Sequence, residues 1–263
     1  MDGKMKNAPI YFAIAQVRYN AILSLETYLS EIQEKFRKAG FPGFKRSVSM
    51  AFNLAPIADT EGTAEQIPPV QHGRYVFSNI ESTAGFILEQ NALSFQSTNY
   101  DTFSTFSAAL LQGLDFLHKV VNLSFIERVG IRYLDAVVPR DGETLHQYLI
   151  PEVLGLHSKL EGKMVHSFSE SMSRNHLAFL ISRVIIQDGS LGFPPDLQPM
   201  GLHVPQQFAE IKGIHAVVDT DAFYDTREVF SSDGVKNHLS TLHNDIVKAF
   251  NVVVTEHALN VWK

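Results

Sequence analysis

Three arginines carry the pattern in this chain that most suggests chemistry. In residues 125–135, FIERVGIRYLD, Val129, Ile131 and Tyr133 alternate with Arg128, Gly130 and Arg132, the period-two signature of a strand with one apolar and one basic face. At ~3.3 Å per residue, Arg128 and Arg132 stand about 13 Å apart on that face, with Gly130 as a bare floor between them. An N-terminal strand ends Gln16-Val17-Arg18-Tyr19, nearly repeating Ile131-Arg132-Tyr133, so Arg18 and Gln16 are expected to join the pair from a neighbouring strand. Two or three guanidinium groups so placed would grip a phosphate or carboxylate bidentately. The competing arrangement is structural. Glu127, Asp135, Asp219 or Asp221 would pair with these arginines, which is the usual state of an interior arginine.

Asp219-Thr220-Asp221 sets two carboxylates on one strand face about 7 Å apart, a spacing that suits a divalent cation or acid–base work. His215 shares that face, and His166 on another strand is placed to approach it. The simpler pairing joins Asp219 or Asp221 to Arg132 or Arg183. Residues 94–101, SFQSTNYD, run polar into a helix start, where free amides can bind an anion but Asn99, Asp101 and Thr102 also supply an ordinary turn and cap. Phe193-Pro194-Pro195-Asp196 is stiff and partly apolar. It either meets a partner, at little entropy cost on docking, or folds back over the sheet edge. The 11 histidines are scattered and form no ligand cluster in sequence.

The strong enzyme signatures are missing: no phosphate-binding Gly-x-x-x-x-Gly-Lys loop, no dinucleotide Gly-x-Gly-x-x-Gly, no His-Glu-x-x-His and no Gly-x-Ser-x-Gly elbow. No catalytic residue, metal ligand or cofactor is therefore assigned. Cysteine is absent, which removes disulfides, thiolate nucleophiles and zinc–cysteine sites together.

The elements that position these residues follow from periodicity. A buried strand over 10–19 leads to a helix with Leu25, Tyr28, Leu29, Ile32 and Phe36 at helical spacing, closed by Gly40-Phe41-Pro42-Gly43. A strand is expected over 45–54, a Pro-rich loop over 55–73, and short strands over 74–78, 84–90 and 93–98. Phe103, Phe106, Leu110, Leu114, Leu117 and Val121 line an amphipathic helix, and Gly113 inside it implies close packing. After residues 125–135 the pattern restarts: a helix at Leu145, strands over 164–172 and 177–188, a loop over 189–199 and a strand over 214–221. A last long helix carries Val235, Leu239, Leu242, Ile246 and Phe250, and Thr255 caps a final turn.

Each half thus reads strand, helix, antiparallel strands, helix. The expected fold is α+β: two similar halves, 1–122 and 123–263, arising by tandem duplication and packed as one unit, with a mostly antiparallel sheet and helices on one face. The composition agrees with a globular chain of 263 residues, 45 % hydrophobic and 19 % charged, with 19 phenylalanines for a core. A formal charge of −6 offers no general attraction to nucleic acid or to a membrane, leaving nucleic acid only a local patch. With no apolar leader or span at its start, the protein is expected to be cytoplasmic.

The ordered set Ala15-Gln16-Val17-Arg18-Tyr19, SFQSTNYDTF (94–103), ERVGIRYLD (127–135), FPPDL (193–197) and DTDAF (219–223) resembles a family of sporadically distributed bacterial proteins of about this length, over nearly the whole chain. That family has no established activity, and its patchy occurrence is like that of defence-associated genes. The resemblance implies a prokaryotic, soluble protein of unknown function. The missing enzyme signatures, the long Pro-rich loops and that patchy occurrence together lead to the expectation of a non-enzymatic interaction or regulatory protein of a defence or toxin–antitoxin-like system, with a protein partner or a homo-oligomer. The residues leave two alternatives: a binding protein for a small anion such as a nucleotide or phosphometabolite, and a metal-assisted hydrolase built on Asp219, Asp221 and His166.

Overall fold

The structure is a computed structural model and describes residues 7–51, 70–156, 159–175, 177–197 and 199–263. The chain runs β1 (Ile10–Tyr19), α1 (Leu25–Lys38), β2 (Gly43–Ala51), β3 (Val70–Ser78), β4 (Ala84–Glu89), β5 (Ala92–Ser97) and α2 (Phe103–Val121). It continues with β6 (Phe125–Val137), α3 (Leu145–Tyr148), β7 (His166–Asn175), β8 (Ala178–Ser190), α4 (Gln206–Ala209), β9 (Lys212–Val229), α5 (Ser232–Val253) and α6 (Glu256–Trp262). The nine strands of the described residues join one sheet in the order β2-β3-β4-β5-β1-β6-β9-β8-β7, and every neighbouring pair is antiparallel. The architecture is α+β around a large antiparallel sheet. Among the described residues no helix is long and apolar enough to cross a membrane.

Register separates the two faces, because alternate residues of a strand point to opposite sides. Ala13, Ala15 and Val17 of β1 align with Tyr133, Ile131 and Val129 of β6 and with Ser97, Phe95 and Leu93 of β5. All of these except Ser97 share one core with Phe77, Phe86, Leu110, Leu114 and Leu117 and with Leu239, Leu242 and Ile246 of α5. Gly113 of α2 lies where a Cβ would stand 3.0 Å from Phe86 Cδ1 and Cζ, and closer still to Cε1, so the helix approaches β4 only because that side chain is missing. Thr102 caps α2 by accepting from the Thr105 amide. Asn122 then ends the helix in the left-handed region at φ 52°.

The opposite face carries a smaller core of Tyr11, Phe12, Leu134, Ala136 and Val217, covered by Phe193, Leu197, Phe208 and Ile211 from the 191–211 segment and its one-turn α4. That segment is fastened to β1, to β5 and to the residue just beyond β5. Tyr11 donates to the Gly192 carbonyl at 2.8 Å, Gln96 exchanges two hydrogen bonds with the Met200 backbone, and the Thr98 hydroxyl donates to the His203 carbonyl at 2.6 Å.

Several boundaries differ from the sequence expectation. β9 runs through Val229 instead of stopping at Asp221, because β8 pairs with it to Tyr224 and β6 pairs with it on to Val229. β3 begins at Val70, so residues 70–73 are strand rather than loop. The rest of the loop expected over 55–73, and residues 52–54 of the expected second strand, lie outside the described residues. The helix at Leu145 is a single turn held by a Thr144/Gln147 capping box, where α1 has 14 residues. Pro151 stops it, since proline disfavours helix in the residue before it and cannot donate within it.

Candidate functional site

The expected arginines lie on the loop-covered face. Arg18 is the register partner of Arg128, Gln16 of Gly130, and Ile14 of Arg132. On the other side β9 sets Asp225 beside Arg128, Phe223 beside Gly130 and Asp221 beside Arg132. β8 adds Arg183 beside Asp219, and β7 adds Glu170 beside Arg183. A polar band therefore crosses five strands. Its two ends have different chemistry.

At the covered end, Arg132 is only 8 % exposed and Asp219 is fully buried. Arg132 donates from Nε and Nη2 to the two Asp219 oxygens, each at 2.7 Å, and from Nη1 and Nη2 to Asp196 at 2.8 and 3.1 Å. Arg183 donates from Nη1 to Asp219 at 3.3 Å and from Nε to Glu170. Burial works against the charge on Arg132, but the hydrogen bonds to Asp219 and Asp196 outweigh it and raise its pKa. The Arg132 bond likewise holds Asp196 below its ordinary value. Burial raises Asp221, against the pull of Arg128 and Arg132. Asp135, on the opposite sheet face, is pushed up to about 8 by burial and then by Asp219. Arg132 and Asp219 thus form a saturated buried ion cluster.

At the other end no described residue of the 191–211 segment bonds to the arginines. Arg18 is exposed and Arg128 half-buried. Neither makes a hydrogen bond or ion pair with a described residue. The Arg128 guanidinium lies 4.2 Å from the centre of the Phe223 ring. It also passes over Gly130, where a Cβ would sit 3.8 Å from Arg128 Cζ. Stacking fixes the plane of the fork and leaves its N–H edge open. Strand irregularities open a cleft beside it. β6 slips against β1 between Arg18 and Tyr19, and against β9 between Ile126 and Arg128. The resulting cleft of about 320 Å³ is lined by Arg18, Glu127, Asp225, Thr226 and Arg227. Glu127 is taken by Arg227, which also lies over the Phe125 ring.

Of the other expected site residues, Gln16 donates from Nε2 to the Ser94 hydroxyl at 3.0 Å, one rung from Arg18. His166 is not brought to the aspartates. It is exposed on β7 opposite Gln187, four residues or about 13 Å along the strand from the Glu170–Arg183–Asp219 rung. His215 is buried between Gln187 and the Gly213 carbonyl. Phe193 packs on Tyr11 and Phe12, Pro194 is buried, Asp196 clasps Arg132 while staying exposed, and Pro195 is exposed. The segment serves as cover for the sheet. Among the described residues no group of three or more His, Asp or Glu side chains could hold a metal ion.

Phe223, Asp225, Thr226 and Arg227 escape the sequence reading because the strand is expected to end at Asp221. The signal for Phe223 is present all the same, since it follows Asp219 and Asp221 at a spacing of two. A second polar group lies on the helix side, where Tyr133 links Tyr100 at 3.3 Å to His243 Nδ1 at 3.1 Å, and His243 stacks on Phe103. No family model matches the sequence, and a search of curated proteins finds no match.

Proposed function

We propose that this chain is a non-enzymatic binding protein that holds an anionic group, a phosphoryl or carboxylate, between Arg18 and Arg128 at the uncovered end of the sheet. One observation carries this reading. Two arginines stand directly opposite each other on neighbouring strands and neither bonds to a carboxylate among the described residues, and like charges so placed are destabilising. Phe223 and Gly130 support it by orienting one guanidinium in advance, which lowers the ordering cost of a bidentate contact. Nucleotides and phosphorylated metabolites are the candidate ligands. Thermal shift and calorimetry against phosphate, pyrophosphate, nucleoside mono- and diphosphates and dicarboxylates test it. The wild type is expected to be stabilised by at least one of these and Arg128→Ala by none; no stabilisation of the wild type, or equal stabilisation of the variant, removes the reading. The metal-assisted hydrolase is not carried forward, because Arg132 and Arg183 occupy the Asp219 oxygens and His166 sits on a different rung.

A second reading makes the chain an interaction or regulatory subunit of a defence or toxin–antitoxin-like system. Leu156, Leu160 and Val165 support it, standing largely exposed in one short connection. Recovery of a stoichiometric partner in native pull-downs is its expected outcome, and a chain that purifies alone from its host counts against it. We also infer that residues 1–122 and 123–263 are duplicated halves with their long helices on one side of the sheet. The strand order β1-β5-β4-β3 mirrors β6-β9-β8-β7, and equating Arg18 with Arg132 puts the local two-fold at the Gln16–Gly130 pair. An experimental structure whose halves fail to superpose about that axis would discard it.

A further inference from the structure

β7 ends the sheet, and among the described residues no strand pairs with its outer side. Its ten residues, HSFSESMSRN, pair with β8 in one unbroken register from His166↔Gln187 to Asn175↔Ala178. Of the devices that protect an edge, the strand has no proline, no lysine and no bulge and carries only the charges Glu170 and Arg174, and its residues from Glu170 onward are all exposed. Phe168 and Met172 are 56 % and 58 % exposed on the same face as Glu170 and Arg174. Ser167, Ser169, Ser171 and Ser173 alternate on the other face.

We propose that β7 is a homodimer edge, pairing antiparallel with β7 of a second copy of this chain in a register centred on Met172. The strand is self-complementary in that register and not in its neighbours. Centring on Met172 puts Glu170 opposite Arg174 of the second copy and Arg174 opposite its Glu170, with the two methionines between them. Ser171 then faces Ser173, and Ser169 faces Asn175. Centring on Glu170 would set two carboxylates face to face, and centring on Ser171 would set Glu170 against Met172, leaving both charges unmatched. Arg174 is already held in place over the Phe179 ring, 5.2 Å from its centre, and Glu170 is fixed by Arg183. The pairing is isologous, so it closes as a two-fold dimer rather than a filament. It joins two nine-stranded sheets into one and leaves the Arg18/Arg128 cleft untouched.

Because the chain contains no cysteine, Met172→Cys introduces its sole thiol. Mild oxidation of the full-length variant is expected to give a covalent dimer, since residue 172 faces its own copy across the two-fold. Ser169→Cys, about 20 Å from its counterpart at ~3.3 Å per residue, is expected not to cross-link. Sedimentation equilibrium over a concentration series should show a reversible wild-type dimer, lost in Arg174→Glu, whose folding is checked by circular dichroism. A wild type that stays monomeric throughout, a dimer that survives Arg174→Glu, or equal cross-linking at 169 and 172 would each overturn the proposal.

Discussion

Replacing Asp219 by asparagine keeps the side-chain volume and removes one charge from a fully buried cluster. The variant amide can accept one guanidinium N–H, but its NH2 then faces another donor, so Arg132 loses one of its two bidentate partners. Removing one member of a buried pair costs about 3–5 kcal/mol. Here Arg132 keeps Asp196 and Arg183 keeps Glu170, which places the expected loss at the lower end, about 3 kcal/mol. At about 2–4 °C per kcal/mol for a chain of this size, the melting temperature should fall by about 6–12 °C. Asp196→Ala is the contrast. The Asp196 side chain is more than half exposed, and screened pairs of that kind contribute about 1 kcal/mol or less. Thermal and urea unfolding followed by circular dichroism measure both. A shift under about 2 °C for Asp219→Asn would show that the cluster is not a structural clasp. A loss in Asp196→Ala equal to that in Asp219→Asn would show that the loop, and not the buried pair, holds this end of the sheet.

The pKa of Asp135 is raised from its ordinary 3.8 to about 8 by burial and Asp219, so the folded chain binds a proton that the unfolded chain releases between those values. The stability this group contributes is full below about pH 4 and falls as pH rises toward 8. Asp135→Asn should flatten that decline and raise the melting temperature at pH 8 while changing little at pH 4; parallel pH profiles for the two proteins would contradict it. Gly113→Ala gains about 1 kcal/mol of helix propensity but drives a methyl into the buried Phe86 ring, for a net loss of about 1–2 kcal/mol. A more stable variant in denaturant titration would mean that the ring can yield.

Local pattern was enough for the elements whose two faces differ. Val129, Ile131 and Tyr133 alternate strictly and are core. The helical spacing of Phe106, Leu110, Leu114 and Leu117 gives the buried side of α2, and the glycine within it marks the close approach to Phe86. Pattern failed where pairing, not propensity, decides the length of an element. β9 holds Asp221, Asp225 and Arg227, which read as a strand end, yet it extends for 18 residues because β8 pairs with it as far as Tyr224 and β6 carries it on to Val229. The Leu145 segment shows the opposite failure: it has the tetrad spacing of a helix, but Pro151 allows one turn.

Arg128 and Arg132 are the sharpest case, since spacing makes them equivalent and the fold does not. Both project from one face of β6, and both have a β9 aspartate as register partner. What separates them is tertiary. Asp196, 64 residues away along the chain, folds down over one arginine, and Phe223 takes the flat side of the other. A buried guanidinium must find carboxylates, because an unpaired charge there would cost far more than the pair gains. Arg132 therefore meets Asp219 and Asp196, and the cover segment is held by the same contact that neutralises it. Arg128 is stacked instead of paired, Arg18 faces it across the strand boundary, and Glu127, the nearest acidic residue in sequence, is spent on Arg227. Asp225 stands across from Arg128 on β9, but among the described residues no carboxylate closes a hydrogen bond or ion pair with either fork. Their like charges therefore stand side by side on adjacent strands, and that contrast with the clasped Arg132 is what the proposed anion site rests on.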